Sequence, residues 1–448
     1  MPEENAWNTA RLIPTSGING AEEQERRATS ALLAVLSSVK EFGRALTAPL
    51  GAPAAQLETF IEVPFEFEQG KIFPDGLIRA KRGAKIWTAL VEVKTGANEL
   101  QAQQLENYLD IAREHGFDAL ITISNEIPPA AGVHPTVVDR RKLRKVALHH
   151  LSWSEVVAEA VMQKEFRGVA DPDQAWILGE LIRYLEHPKS GALSFEDMGT
   201  SWVKVREAVT AGVLRPNDKD ASEVAARFDA LVRFACLKLG RKLGAEVLPQ
   251  VTREHSANPA SRISWLVDSL VTSGTLSAAI RVPNAVSPMD ITADLRANRV
   301  SCSFSIDAPG AGKPSTRVNW LLRQLKEAPD LVRVEAFAAR TRGGTAELLK
   351  DLRDSPAKLV ADPTKELRSF RVTQSQTLGS KRLAGRGSFI DSVLNAVDTA
   401  YGDIGQVLKA WSATPPRLRS DSEVELEVGV RDDLPSAALS SQDEGTVR

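Results

Sequence analysis

Cysteine is scarce in this 448-residue chain: Cys236 and Cys302 are the only two. That is too few for a disulfide framework, and they lack the spacing of a zinc knuckle. Both read as small core residues of a reducing compartment. Long apolar runs are missing as well. None approaches the roughly 18 residues that a membrane helix needs, so no membrane association is expected. The N-terminus, MPEENAWNTARL, is polar and acidic and does not read as a signal peptide. The expectation is a cytoplasmic protein. Nor is there an excess of charge of one sign. A net charge of −2 argues against binding nucleic acid by bulk charge but leaves local patches open. Histidine numbers six: His149 and His150 adjoin, and the others stand singly. No H-E-x-x-H pattern or Cys/His cluster suggests a zinc site, and no G-x-S-x-G elbow suggests a serine hydrolase. The loop APGAGKPST lacks the spacing of a phosphate-binding loop.

What remains is an ordinary folded composition, 43% hydrophobic and 25% charged, on a chain long enough for two or three domains. Residues 1–165 alternate element types. Apolar residues recur at helical spacing over 21–46. FIEVPFEF (60–67) alternates with period two, and KIFPDGLIRA (71–80) is a second strand interrupted by Pro74-Asp75-Gly76. IWTALVEVK (86–94) is a third, strongly apolar strand. A helix over 98–116, opened by Asn98 and closed by Gly116, follows. Strands at 117–124 and 145–152 and a helix after Ser152 complete the unit. The fold class expected is α/β: an αβββαβ sandwich on a mixed sheet. Residues 166–218 read as a helical linker or small helical domain, 219–412 as an α+β domain of unknown role, and 413–448 as an acidic, flexible tail or late strand.

Three polar residues fall where a buried sheet should be apolar. Asp75 follows a proline in the second strand. Glu92 and Lys94 lie two apart at the end of the third, hence on one face. Carboxylates placed so are costly to bury unless a cation or hydrogen bonds compensate. The alternative is an edge strand with an ordinary salt bridge. On the next helix Gln104 and Tyr108 lie four apart and share a face, which puts a glutamine in an apolar stripe. Glu25 points inward from the first helix, with Glu22 one turn earlier as the alternative; either could instead serve the positive end of that helix.

With Pro74-Asp75 and Glu92-Val93-Lys94 in this order of elements, residues 20–165 resemble the PD-(D/E)XK nuclease superfamily, whose fold is called restriction-endonuclease-like. Gln104 and Tyr108 look like the Gln-x-x-x-Tyr element of some exonuclease-like branches, and Glu25 like the first-helix glutamate of many members. The resemblance implies a Mg²⁺-dependent phosphodiesterase, with Mn²⁺ able to substitute. It implies metal held by Asp75, Glu92 and the carbonyl of Val93, with Lys94, Gln104 and Glu25 joining the catalytic group. It also implies DNA as the substrate, and a role in repair or in defence against foreign DNA would fit. The competing reading is a catalytically inactive module of the same fold that binds nucleic acid or a protein partner. A further expectation is a protein partner or self-association through the C-terminal domain. The stretch Arg140 to Lys145 reads either as a basic patch that holds nucleic acid near the site or as a solvated turn.

Overall fold

A computed structural model describes residues 13, 20–67, 70–128, 132–192 and 195–412. The expected tail at 413–448 lies outside them. The described residues up to Ala410 form one compact unit that carries two separate larger sheets.

Helix α1 (Ala21–Ser38) buries Ala28, Thr29, Leu32, Leu33, Val35 and Leu36 along one stripe, with Glu22 and Glu23 in the first turn. This is the amphipathic spacing of a helix with acids at its positive end. The single helix expected over 21–46 is in fact two. Val39 leaves the helical region (φ −99°, ψ 91°) and α2 (Lys40–Thr47) starts afresh. Gly43 allows α2 to close on α1, since a Cβ there would stand 2.2 Å from the Leu36 carbonyl oxygen.

The strand expected over 60–67 is also divided. β1 (Leu57–Ile61) ends at Glu62, which has a left-handed φ of 50°, and Pro64 then removes a ladder donor. β2 (Phe65–Phe67) and β3 (Gly70–Ile72) form a separate two-stranded ribbon. β4 (Gly76–Arg82) begins after Asp75 and pairs antiparallel with both β1 and β5 (Lys85–Val93). Helix α3 (Ala102–Glu114) crosses to β6 (Ala119–Ser124), and β7 (Ala147–Ser152) joins next; β5, β6 and β7 are parallel. The sheet order is β1-β4-β5-β6-β7, a mixed five-stranded sheet, as the alternation of elements led one to expect. α4 (Trp153–Val161) follows through a capping box between Ser152 and Glu155.

The sheet's two faces have different cores. Ile78, Ala89, Val91, Val93, Ile121 and Ile123 pack with α1 and α4. Leu77, Leu90 and Leu120 pack with Leu105, Tyr108 and Leu109 of α3. The helical stretch 166–218 is shared between cores. α5 (Pro172–Leu185) puts Leu178, Leu181, Tyr184 and Leu185 onto the first. α6 (Trp202–Ala211) puts Trp202, Val205 and Val209 into the core of the second sheet with α7 (Lys219–Leu243). That sheet has seven strands, Leu248–Gln250, Thr275–Arg281, Met289–Asp294, Arg299–Asp307, Arg333–Ala338, Thr345–Leu348 and Leu367–Thr377. All its pairs are antiparallel, which gives the C-terminal half its α+β character. Among the described residues, no helix is long and apolar enough to cross a membrane.

Candidate active site

The site forms where the β4–β5 ladder ends. Gly76 pairs with Val91, so Asp75 stands one position beyond the ladder, opposite Glu92. Leu33 of α1 packs closely over Gly76: a Cβ there would stand 2.4 Å from Leu33 Cδ1, so that side chain would have to shift. Held so, Asp75 accepts a 2.7 Å hydrogen bond at Oδ2 from the Val93 amide. That bond fixes one carboxylate oxygen and takes the place of a ladder contact.

Glu92 is 1% exposed, and neither of its carboxylate oxygens accepts a well-directed hydrogen bond. Two charges lie close to it: the Lys94 ammonium, whose Nζ is 2.6 Å from Oε1, and the Asp75 carboxylate. Taking a carboxylate this far out of water is costly even with an ammonium beside it, and the cost shows in its acidity. Burial, then the charge of Asp75, pushes the Glu92 carboxyl up to about 8 against the pull of Lys94. The Asp75 carboxyl is also raised, by burial first, with the Val93 amide and Lys94 opposing.

Lys94 follows the strand's last residue and is clamped from several sides. Its Nζ donates to Glu25 Oε1 at 2.9 Å and to the Val93 carbonyl at 3.1 Å. Burial alone would lower its pKa, but Glu92 and Glu25 outweigh that and hold it raised and charged. Its backbone is pinned too. The amide donates to the Ile123 carbonyl at 2.8 Å, and the Trp153 indole donates to its carbonyl at 3.0 Å. Glu25, not Glu22, reaches the site from α1; Glu22 instead pairs with Arg26 at the surface.

Gln104 donates to Tyr108 Oη at 3.0 Å. The Tyr108 hydroxyl is raised in pKa by burial and by the charge of Glu92, so Gln104 stands one hydroxyl away from the carboxylates. Asp75, Glu92, Lys94, Glu25 and Val93 are therefore brought together directly, and Gln104 through Tyr108. Among the described residues, no group of three or more His, Cys, Asp or Glu side chains is arranged to hold a metal. The donors at hand are two carboxylates and a main-chain carbonyl.

Sequence reasoning missed three contributors. Asn98 does not cap α3, which starts at Ala102 with Gln101 before it; its amide donates to Glu25 Oε2 at 3.3 Å. Trp153 carries no signal beyond its place after Ser152. The third is a polar row across the sheet. Glu92 pairs in register with Thr122, and Thr122 with His150. Thr122 Oγ1 lies 2.8 Å from both His150 Nδ1 and His134 Nε2. Burial pushes the His150 imidazole down to about 4 and lowers that of His134, so both rings are neutral at pH 7. His134, His149, His150 and His255 line one cavity of about 630 Å³, an assembly that six scattered histidines do not announce.

Of the two readings of the basic stretch, the structure fits the solvated turn. Arg140–Arg144 form a short 3₁₀ turn before β7. Because β5 and β7 run parallel with Glu92 level with His150, that turn lies at the opposite end of the strands, roughly 10 Å back along them. Two of its charges are also engaged: Arg141 with Asp139 at 2.6 Å and Lys142 with Asp110 at 2.5 Å. Replacing Arg140, Arg141 and Lys142 with alanine should thus leave affinity for DNA and its salt slope unchanged. Each lost phosphate contact would lower that slope by nearly one, so a flattening by two or three in a binding titration would contradict this placement. Compared with family models, with curated proteins and with solved structures, the chain matches none.

Proposed function

We propose that the chain is a divalent-metal-dependent nuclease that hydrolyses phosphodiester bonds in DNA, with its chemistry at Asp75, Glu92 and Lys94. The observation that carries this is Glu92: a buried carboxylate with no well-directed donor on either oxygen, facing a second carboxylate across a strand pair, with an ammonium at 2.6 Å. A cation between Asp75 and Glu92 would relieve that cost. Mg²⁺ suits so small a donor set, since it keeps several waters and commonly binds through one or two carboxylates. The carbonyl of Val93 would be the third donor, and Mn²⁺ should substitute. The order of helix, three antiparallel strands, helix and two parallel strands also supports a restriction-endonuclease-like plan.

In this reading each residue has a definite task. A bound ion would acidify a water and polarise the scissile phosphate. Asp75 and Glu92 hold it in place, Asp75 oriented by the Val93 amide. Lys94, kept charged and immobile by Glu25, neutralises charge that develops on the phosphoryl oxygens. Glu25 positions Lys94 and is in turn held by Asn98. Tyr108 and Gln104 close the site from α3.

The absence of a third acidic ligand among the described residues favours a second reading, an inactive module of the same architecture. Incubating the protein with linear, circular and single-stranded DNA in Mg²⁺ or Mn²⁺ separates the two. Cleavage that EDTA abolishes is expected; intact DNA with both ions would favour the inactive module.

A further inference from the structure

The mouth of the site has two features that the chemistry above does not use. It opens into a cleft of about 440 Å³ whose lining includes Glu22, Glu25, Glu62 and Asp75, and, among the described residues that line it, Arg26 is the only basic one. Apolar surface shares the same cleft: Phe73 is 53% exposed and Ile61 47%. Phe73 stands two residues before Asp75, so its ring is tied to the carboxylate by a short stretch of chain that includes the rigid Pro74. Ile61 belongs to the edge strand β1. The strand stops there because Glu62 adopts a left-handed conformation, and Glu62 pairs with Arg26 at 3.1 Å.

The acids speak against a duplex. Double-stranded DNA carries one charge per ~1.7 Å of its axis, and the carboxylates lining this cleft would repel a rigid duplex laid across it. The basic turn that could grip a duplex backbone is at the far end of the sheet. A flexible single strand, by contrast, can present one phosphate to the metal site and keep its neighbours clear. Its bases have apolar faces to bury, and an exposed phenylalanine beside the scissile position is the kind of platform on which a base stacks without regard to sequence.

Building on the proposed nuclease chemistry, we infer that the substrate is single-stranded DNA, or an unpaired stretch of it, with a base adjoining the scissile phosphate stacked on Phe73. Ile61 packs against the same base from the β1 side. Arg26 is the cation placed to meet a neighbouring phosphate, once Glu22 and Glu62 release it.

The test uses the full chain and three labelled oligonucleotides: a single strand, the same sequence as a blunt duplex, and the single strand with one abasic position. Binding is read by anisotropy in Ca²⁺ and cleavage by gel in Mn²⁺. The single strand should be bound and cut at least tenfold better than the duplex. Phe73→Ala should weaken binding of the single strand about tenfold, the scale of one lost base–aromatic stack, while Phe73→Trp restores it. Phe73 is exposed, so the variants should fold, and Mn²⁺ affinity measured by calorimetry should be the same in all three proteins. Equal use of duplex and single strand, or full binding by Phe73→Ala, overturns the inference while the nuclease reading stands. Failure to cut any of the three DNAs brings down the nuclease reading and this inference with it.

Discussion

Glu92→Gln should lower metal-dependent cleavage about a thousandfold, the scale on which a group that stabilises the transition state is missed, and Asp75→Asn should do the same. Both replacements keep side-chain volume and lose charge. After Asp75→Asn the Val93 amide can still donate to the side-chain oxygen that remains, so the turn before β4 survives. On the proposed chemistry both carboxylates would act on one ion, so the double variant should be scarcely worse than either single one, as expected of residues that work as a unit. The check is a set of single-turnover rates with Mg²⁺ and with Mn²⁺, alongside circular dichroism to confirm the fold. A variant that keeps a tenth or more of the wild-type rate would remove its carboxylate from the chemistry.

The same buried acid should make stability depend on pH in an unusual direction. With the Glu92 carboxyl pushed up to about 8 by burial and Asp75, the folded protein holds a proton between about pH 4.5 and 8 that the unfolded chain has released. Stability from this group is therefore whole at low pH and is lost as pH rises through that window. The raised Asp75 carboxyl acts in the same sense. Lys94, raised as it is, contributes stability that is lost only at strongly alkaline pH. Without divalent metal, Glu92→Gln should match the wild type near pH 5 and exceed it near pH 8.5. The gain should be of order 1–3 kcal/mol, the cost of a buried polar group left unsatisfied, and it appears as a higher Tm. Adding Mg²⁺ at pH 8.5 should stabilise the wild type by binding the folded state and leave the variant unchanged. Parallel Tm profiles for the two proteins from pH 5 to 8.5 would contradict a strained carboxyl at Glu92.

How much of this was legible in the sequence differs from residue to residue, and for identifiable reasons. Glu92 and Lys94 stood out because strand periodicity is strict: an acid at the end of Leu90-Val91 has nowhere to go but into the core face. Asp75 and Gly76 were legible as a turn, but not the close approach of Leu33 from α1 to the glycine. Glu25 and Glu22 share a similar helical heading, so the sequence favoured Glu25 only narrowly, and the contact with Lys94 decides between them. The break at Val39 carried no proline or glycine at the position itself; the close packing across it rests on Gly43, four residues on. Asn98 resembled a helix cap because caps and ligand-positioning amides draw on the same residue types. The basic turn stayed ambiguous between a nucleic-acid patch and a solvated turn because strand direction was not used. In parallel strands, chain that enters β7 must lie opposite the end at which β5 leaves. The Thr122, His134 and His150 cluster depends on register between β6 and β7 and on a loop, none of which a single sequence displays.

The central claim is that a divalent cation sits between Asp75 and Glu92. Anomalous diffraction from crystals grown in Mn²⁺ at about pH 8, where Glu92 gives up its proton, tests it most directly. The account predicts a manganese peak between the Asp75 and Glu92 carboxylates and next to the Val93 carbonyl, lost in Glu92→Gln crystals. Density that places Lys94 alone against Glu92, with no manganese between the carboxylates at saturating Mn²⁺, would contradict it.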